Sequence, residues 1–339
     1  MPTSYLVTGA TDHLGFTIVR KLYEKGCKVR ALVLENEPNI TLLEPYAQIF
    51  TGDIRDKVSL EPFFDCPSTD DICVIHCAEK YTAANRFNQE IWDVNVVGTN
   101  NIIELCKLYY VKKLVYVSSV FAIAMGKEGE AVSEPSEFKT DAVKGLYAKS
   151  KAAATSLVLA ASEKGLDATV VLPTEMTGPD DYGYSHVTDM LMHYLNGQVD
   201  SVIEGGFDFV DVRDVADGVI SAIENGRKGE SYILSNHYFP LQQLCYIVNE
   251  LKPKRQVRLS MPAWFGRLSS PVLGTYYKLR KRKSLETAYS IFSVINDTNY
   301  SHRKAAEELG FSARDMEETV RDTLDFIEKS QKEKKEIAI

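Results

Sequence analysis

Short apolar runs alternate along this chain with longer stretches whose apolar side chains recur at helical spacing, and the rhythm holds to about residue 170. The runs predict strands at Tyr5–Thr8, Lys28–Leu34, Ala47–Phe50, Ile72–Cys77, Lys113–Ser118 and Ala168–Leu172. The periodic stretches predict helices over Leu14–Lys25, which ends at Gly26, over Asn88–Tyr109 and over Gly145–Lys164. Short apolar strands separated by helices imply a parallel sheet covered on both faces. Right-handed crossovers then give an α/β fold with a doubly wound parallel sheet, the Rossmann fold.

After Pro173 the rhythm loosens. Residues 174–206 and 235–300 read as a smaller mixed α/β lobe. Between them, 207–234 opens with FDFVDVRDVADGVISAI, a strand and helix expected to return to the main sheet. Helices are expected over 301–330, and QKEKKEIAI (331–339) reads as a flexible tail.

Composition narrows the field. The chain has 339 residues, 45% hydrophobic and 25% charged, with a net charge of −8. An acidic protein does not attract nucleic acid through a general field, so no nucleic-acid partner is expected. The six cysteines lie apart, and no CxxC is joined by a second cluster, so no zinc site is expected. Cys73 and Cys77 fall in an apolar run, as small core residues do. His76 reads as structural, and no histidines show metal-ligand spacing. MPTSYLVTGA enters a strand at once, and no apolar run reaches spanning length. A cytoplasmic protein without integral membrane association is expected.

Two local patterns carry chemistry. The first strand runs into Thr8-Gly9-Ala10-Thr11-Asp12-His13-Leu14-Gly15 and a helix. A glycine turn between a first strand and helix is where dinucleotide phosphates meet helix N-terminal amides, Gly9 permitting the turn and Gly15 close packing. Asp12 stands where a middle glycine is usual. Its carboxylate either crowds a pyrophosphate or caps the helix. At the end of the second strand, Val33 and Leu34 hold the positions of the acid that selects NAD and the arginine that selects NADP; Glu35 follows, and Arg30 lies on the strand.

The second pattern is YAKSK, with Tyr147 and Lys151 four apart and Ser119 at the end of the fifth strand. On a helix those two share a face. A tyrosine with pKa near 10 is a poor proton carrier at neutral pH. An adjacent ammonium is expected to lower that pKa and ready the phenol for carbonyl reduction, while Ser119 holds the substrate oxygen. Lys151 can also hydrogen-bond a cofactor ribose.

With TGATDHLG, GDIRD, DICVIHCAEK, VNVVGTNNIIELC, VYVSS, YAKSK, VVLPTEMTGP, FDFVDVRDVADGVISA and AAEELGF in order, the chain resembles the extended short-chain dehydrogenase/reductases. Within them it is most similar to the NAD-dependent epimerase/dehydratase-like branch of dihydroflavonol 4-reductases and 3β-hydroxysteroid dehydrogenases. The resemblance implies a catalytic triad of Ser119, Tyr147 and Lys151, a Rossmann domain over 1–173 and a substrate lobe after it. It implies that Gly9, Thr11, Asp12, His13, Leu14, Gly15 and Leu34 face the cofactor. Asp53 and Ile54 would contact adenine, Cys77 and Ala78 would line the dinucleotide channel, and Pro173 with Thr174 would border the nicotinamide. Asn95 would steady the fourth strand. The expected cofactor is NADP(H) or NAD(H), NADP(H) slightly favoured, and a homodimer is plausible for the family.

Val120 and Phe121 after Ser119 stand where sugar dehydratases carry carboxylates, which argues against dehydration. The basic run KLRKRK (278–283) follows AWFGRLSSPVLGTYYKL, suited to a lid or subunit contact. Phe121, Met125, Tyr81, Met176 and Tyr184 point to an apolar pocket. The expectation is an NAD(P)H-dependent reductase acting on a small-to-medium apolar ketone or aldehyde, flavonoid-like or steroid-like. Its rivals are a nucleotide-sugar epimerase and a non-catalytic binding protein of the same fold.

Overall fold

The computed structural model describes residues 2–82, 86–126, 130–196, 201–252, 259–261 and 298–337. Its first half runs β1 (Thr3–Thr8), α1 (His13–Glu24), β2 (Lys28–Val33), α2 (Ile40–Leu43), β3 (Gln48–Thr51), α3 (Glu61–Phe64), β4 (Asp71–His76), α4 (Gln89–Trp92), α5 (Thr99–Leu108), β5 (Lys113–Val117), α6 (Leu146–Glu163) and β6 (Ala168–Pro173). The single helix expected over 88–109 is broken: a π-helical segment, Asp93–Gly98, joins α4 to α5. Then come β7 (Glu175–Thr177), α7 (His186–Leu195), β8 (Ser201–Ile203), β9 (Gly206–Asp211), α8 (Val212–Glu224), β10 (Ser231–Leu234), β11 (His237–Pro240), α9 (Leu241–Leu251) and β12 (Leu259–Met261). Two C-terminal helices, Arg303–Leu309 and Met316–Ile337, close the chain. The second runs into the stretch where the sequence suggests a flexible tail.

Seven parallel strands form the main sheet in the order β10-β6-β5-β4-β1-β2-β3. The sequence explains why both faces are dry. In β1, β4 and β5, neighbours point to opposite sides, so Leu6, Val74 and Leu114 join one core while Val7, Ile75 and Val115 join the other. The first core packs under α5 and α6, the second under α1 and α8. Burying each such side chain stabilises by about 1.5–3 kcal/mol. The 207–234 stretch divides: β9 enters a small sheet ordered β11-β9-β7, α8 packs against α1, and β10 joins the main sheet beside β6. A third core joins α7, α9, β9 and the last helix. Among the described residues no helix is long and apolar enough to cross a membrane.

The carboxyl end of β4 is fixed by two polar clamps. Asn95, 1% exposed, donates from Nδ2 to Lys80 O (3.0 Å) and Ser150 Oγ (2.9 Å), and its Oδ1 accepts from Lys80 N (2.7 Å). It thereby bolts the loop after β4 to α6. His76 sits between Thr8 Oγ1 (2.7 Å from Nδ1) and Thr99 Oγ1 (3.0 Å from Nε2). Thr99 spends its proton on Asn95 O (2.7 Å), so Nε2 is the donor and Nδ1 accepts from Thr8.

Desolvation, and then the Lys151 charge, push His76 down to about 3 from 6.5. The unfolded chain therefore binds the extra proton first. Relative to His76→Asn, the wild type should lose about 1.4 kcal/mol of stability per pH unit as pH falls from about 6.5 toward 3. Urea melts of both proteins at several pH values measure this, and parallel curves would contradict it.

Candidate active site

Helix α6 starts after Gly145, whose φ of +94 turns the chain into the helix. That start puts Tyr147 in the first turn and Lys151 one turn later, on the face turned to the sheet. Both are deeply buried, at 5% and 1% exposure. Lys151 Nζ donates to Val117 O (2.8 Å), the last residue of β5, and lies 4.9 Å from the centre of the Tyr116 ring. The two residues thus meet at the carboxyl end of the central strands, where doubly wound sheets hold their ligands.

A third residue completes the cluster, and the sequence reading passed over it. Glu79 follows Ala78 in the loop after β4. Its two carboxylate oxygens lie 3.0 and 2.9 Å from Tyr147 Oη, which donates to them. Oε2 also pairs with Lys151 Nζ at 2.8 Å. This corrects the expected role of Lys151. Burial, then the Glu79 charge and hydrogen bond, hold the Tyr147 phenol well above its usual 10, so it is not acidified. Burial works against the Lys151 ammonium, but Glu79 and Tyr116 outweigh it and raise its pKa. The lysine's charge is spent on Glu79. The available signal was an acid directly beyond a central strand, in DICVIHCAEK.

Two more carboxyls share the cleft. Glu175, on β7, is pushed up to about 7 by burial and then by Glu79. Asp12 is an exposed residue, with protein close around its carboxyl. That desolvation, then Glu37, Glu79 and Asp181, push it up to about 7. Among the described residues, no hydrogen bond joins Ser119 to this cluster. It leads the 3₁₀ turn Val120–Ala122, and its Oγ accepts from Phe121 N (3.2 Å), which leaves its proton to give. The Phe121 ring lies 6.1 Å from that of Tyr147.

The glycine turn has the shape the sequence predicts. Gly9 has φ +65, and a Cβ there would lie 2.7 Å from Ala78 N; one on Gly15 would lie 2.0 Å from Gly9 O. No side chain fits at either point, so β1, α1 and β4 close together as a dinucleotide cradle requires. Asp12 is the N-cap residue of α1, yet its side chain makes no capping hydrogen bond, contrary to one expectation, and is exposed. Thr11 is half-buried and Leu14 buried. His13 turns to the other lobe, its Nε2 2.9 Å from Pro179 O.

At the ribose end, Leu34 is 47% exposed and its N–H donates to Glu37 Oε2 (3.0 Å). Glu37, not Glu35, brings its acid back there. The intervening turn, with Asn36 at φ 60, hides this from a strand-by-strand reading. Arg30 donates to Asp65 O (2.7 Å) and Pro62 O (2.9 Å), with its guanidinium 4.0 Å from the Phe50 ring centre. It is half-buried, and its guanidinium is committed to these partners. Asp53 is bound by Arg55 (2.6 Å), while Ile54 is buried and its carbonyl accepts from Asn101 Nδ2 (2.8 Å). Cys77 is a buried thiol packed in the second core, and Ala78 N donates to Thr8 Oγ1 (3.2 Å) against the glycine turn. Pro173 ends β6, and Thr174 donates to Asp208 Oδ1 (3.0 Å).

Beside this cluster lies a cavity of about 310 Å³ lined by Phe121, Ile123, Met125 and Val143, with Glu175 and Asp208 as its acids. Of the expected pocket residues, Phe121 and Met125 line it and Tyr81 stacks on Tyr147 (5.0 Å). Met176 packs in the second core instead, and Tyr184 Oη meets Ser330 Oγ (2.7 Å). The basic run 278–283 and the apolar stretch before it lie outside the described residues.

This geometry agrees with what the chain is similar to. Residues 5–235 match the NAD dependent epimerase/dehydratase family. Sterol demethylase protein B of Methylococcus capsulatus is 30% identical over 262 residues, covering 76% of this chain and 77% of that one. The decarboxylating sterol-4-alpha-carboxylate 3-dehydrogenase of Schizosaccharomyces pombe is 30% identical over 233 residues, 66% of each. Among solved structures, gox2253 superposes with a TM-score of 0.82 at 26% identity, covering 96% of this chain and 98% of that one. The dTDP-glucose 4,6-dehydratase of Bacillus anthracis in complex with NAD, at 18% identity and a TM-score of 0.76 over 97% and 98%, shares the fold. The chain therefore belongs to the NAD dependent epimerase/dehydratase family, as an oxidoreductase of the extended short-chain dehydrogenase/reductase type.

Proposed function

We propose that this enzyme interconverts a ketone and a secondary alcohol on a small-to-medium apolar substrate, with Tyr147 as the proton carrier. One observation carries the reading: the Tyr147 phenol, held protonated beside a buried Lys151, lies next to an apolar cavity at the carboxyl edge of the sheet. A nicotinamide cofactor supplies or accepts the hydride when bound. Tyr147 gives its proton to the carbonyl oxygen, and Ser119, with its proton unspent, holds that oxygen. Lys151 keeps the phenol's surroundings charge-balanced. The apolar walls favour a flavonoid-like or steroid-like ring system over a nucleotide sugar.

For the cofactor, the sequence slightly favours NADP(H). The engagement of Arg30 and the return of Glu37 to the end of β2 support NAD(H) instead, since a carboxylate suits a ribose hydroxyl and repels a 2′-phosphate. Free thiols at all six cysteines support a cytoplasmic setting, and a homodimer is the expected assembly. The rival reading, a non-catalytic binding protein, draws on the carboxylates of Asp12 and Glu79.

Tyr147→Phe should lower reduction of the apolar ketones that the wild type accepts by at least about 100-fold and leave NADH binding within about twofold. Retained turnover would remove the phenol from its role, and loss of binding with turnover would make it structural. Asp12 bears on affinity. Its charge opposes a pyrophosphate and is lost as pH falls through about 7. NADH should therefore bind up to about tenfold more tightly at pH 6 than at pH 8, and more tightly than NADPH. Asp12→Asn should flatten that dependence in a fluorescence titration; a flat wild-type profile would show that the loop keeps the acid away from the phosphates.

A further inference from the structure

Glu79 takes the only proton that Tyr147 can donate and one of the three that Lys151 can donate. It is no chance neighbour. The backbone of the next residue, Lys80, is gripped at both N and O by Asn95, and Asn95 is tied to Ser150, which lies between Tyr147 and Lys151 on α6. Ser150 in turn donates to Tyr147 O (2.7 Å). The bolt thus fixes the register of Glu79 against the phenol. The side chain is 31% exposed, so it meets water while both its carboxylate oxygens also meet the buried phenol.

We propose that Glu79 is the proton partner of Tyr147, the phenol and carboxylate acting as one acid–base unit. This rests on the reading of Tyr147 as the proton carrier. In the oxidative direction the carbinol C–H bond breaks, and an oxidised nicotinamide, when bound, would take the hydride. The substrate O–H proton passes to Tyr147 Oη. The phenol's own proton passes to Glu79, and from there to water. The sum is alcohol and oxidised cofactor giving ketone, reduced cofactor and one proton. In reduction the same protons run backward, so Tyr147 is refilled without a buried phenolate facing a carboxylate. Glu79 touches neither substrate nor hydride; it takes part through the proton it shares with Tyr147.

Other charges face the phenol: Lys151 from its own helix, Tyr116 from β5 and Glu175 from β7, with Asp12 reaching Glu79 from the glycine turn. The test isolates Glu79 among them and needs no substrate. The protein is labelled with 13Cζ-tyrosine, the Tyr147 resonance is assigned by its absence in Tyr147→Phe, and its shift is followed with pH. In the wild type it should stay unmoved through the pH range in which an ordinary tyrosine titrates. In Glu79→Gln the phenol should become at least about tenfold more acidic, because Lys151 then faces it uncompensated, and the resonance should begin to move. If Gln disturbs the fold, Glu79→Asp, with its carboxylate one methylene shorter, should show a smaller shift of the same sign. Identical titrations in wild type and variant would overturn the proposal. So would an unmoved resonance with tighter NADH binding in Glu79→Gln, which would make Glu79 a latch on Lys151. Neither result bears on whether Tyr147→Phe abolishes turnover, so the two readings fail separately.

Discussion

A buried ammonium is the constraint around which this site is built. Lys151 has almost no contact with water, and an uncompensated charge at that depth would cost several kcal/mol. Val117 O, the Tyr116 ring and above all Glu79 compensate it. Once Glu79 is committed to that task, both its oxygens also accept from Tyr147, and the phenol's protonation follows from the lysine's burial. The Asn95 clamp, the π-helical segment that carries Asn95 and the early start of α6 at Gly145 all hold that carboxylate in register.

The sheet's interior explains what the sequence could reveal. Alternation in β1, β4 and β5 follows from a fixed two-residue period, so the doubly wound fold was readable from apolar runs alone. YAKSK was equally readable, because four residues on a helix lead back to one face. Glu79 was not, since 68 residues separate it from Tyr147 and only the folded sheet joins them. Glu37 was missed for a similar reason: a turn with a left-handed Asn36 brings it back to a strand end it has already left. Arg30 lay in plain sight, but its partners come from the loop after α3, which no pattern ties to β2.

The cleft gathers acid from several elements. Asp12 belongs to the turn before α1, Glu79 to the loop after β4 and Glu175 to β7, and Asp12 and Glu175 are both held near 7, partly by the charge of Glu79. The same acids make the net charge of the cleft vary across neutral pH, so cofactor affinity and proton handling are parts of one electrostatic system.

The most direct measurement is a crystal structure with NADH bound. The account predicts a nicotinamide ring beside Tyr147 Oη, with Glu79 still within hydrogen-bonding distance of that oxygen and open to water. A ring lying elsewhere, or Glu79 swung out with Lys151 turned wholly to the cofactor, would contradict it.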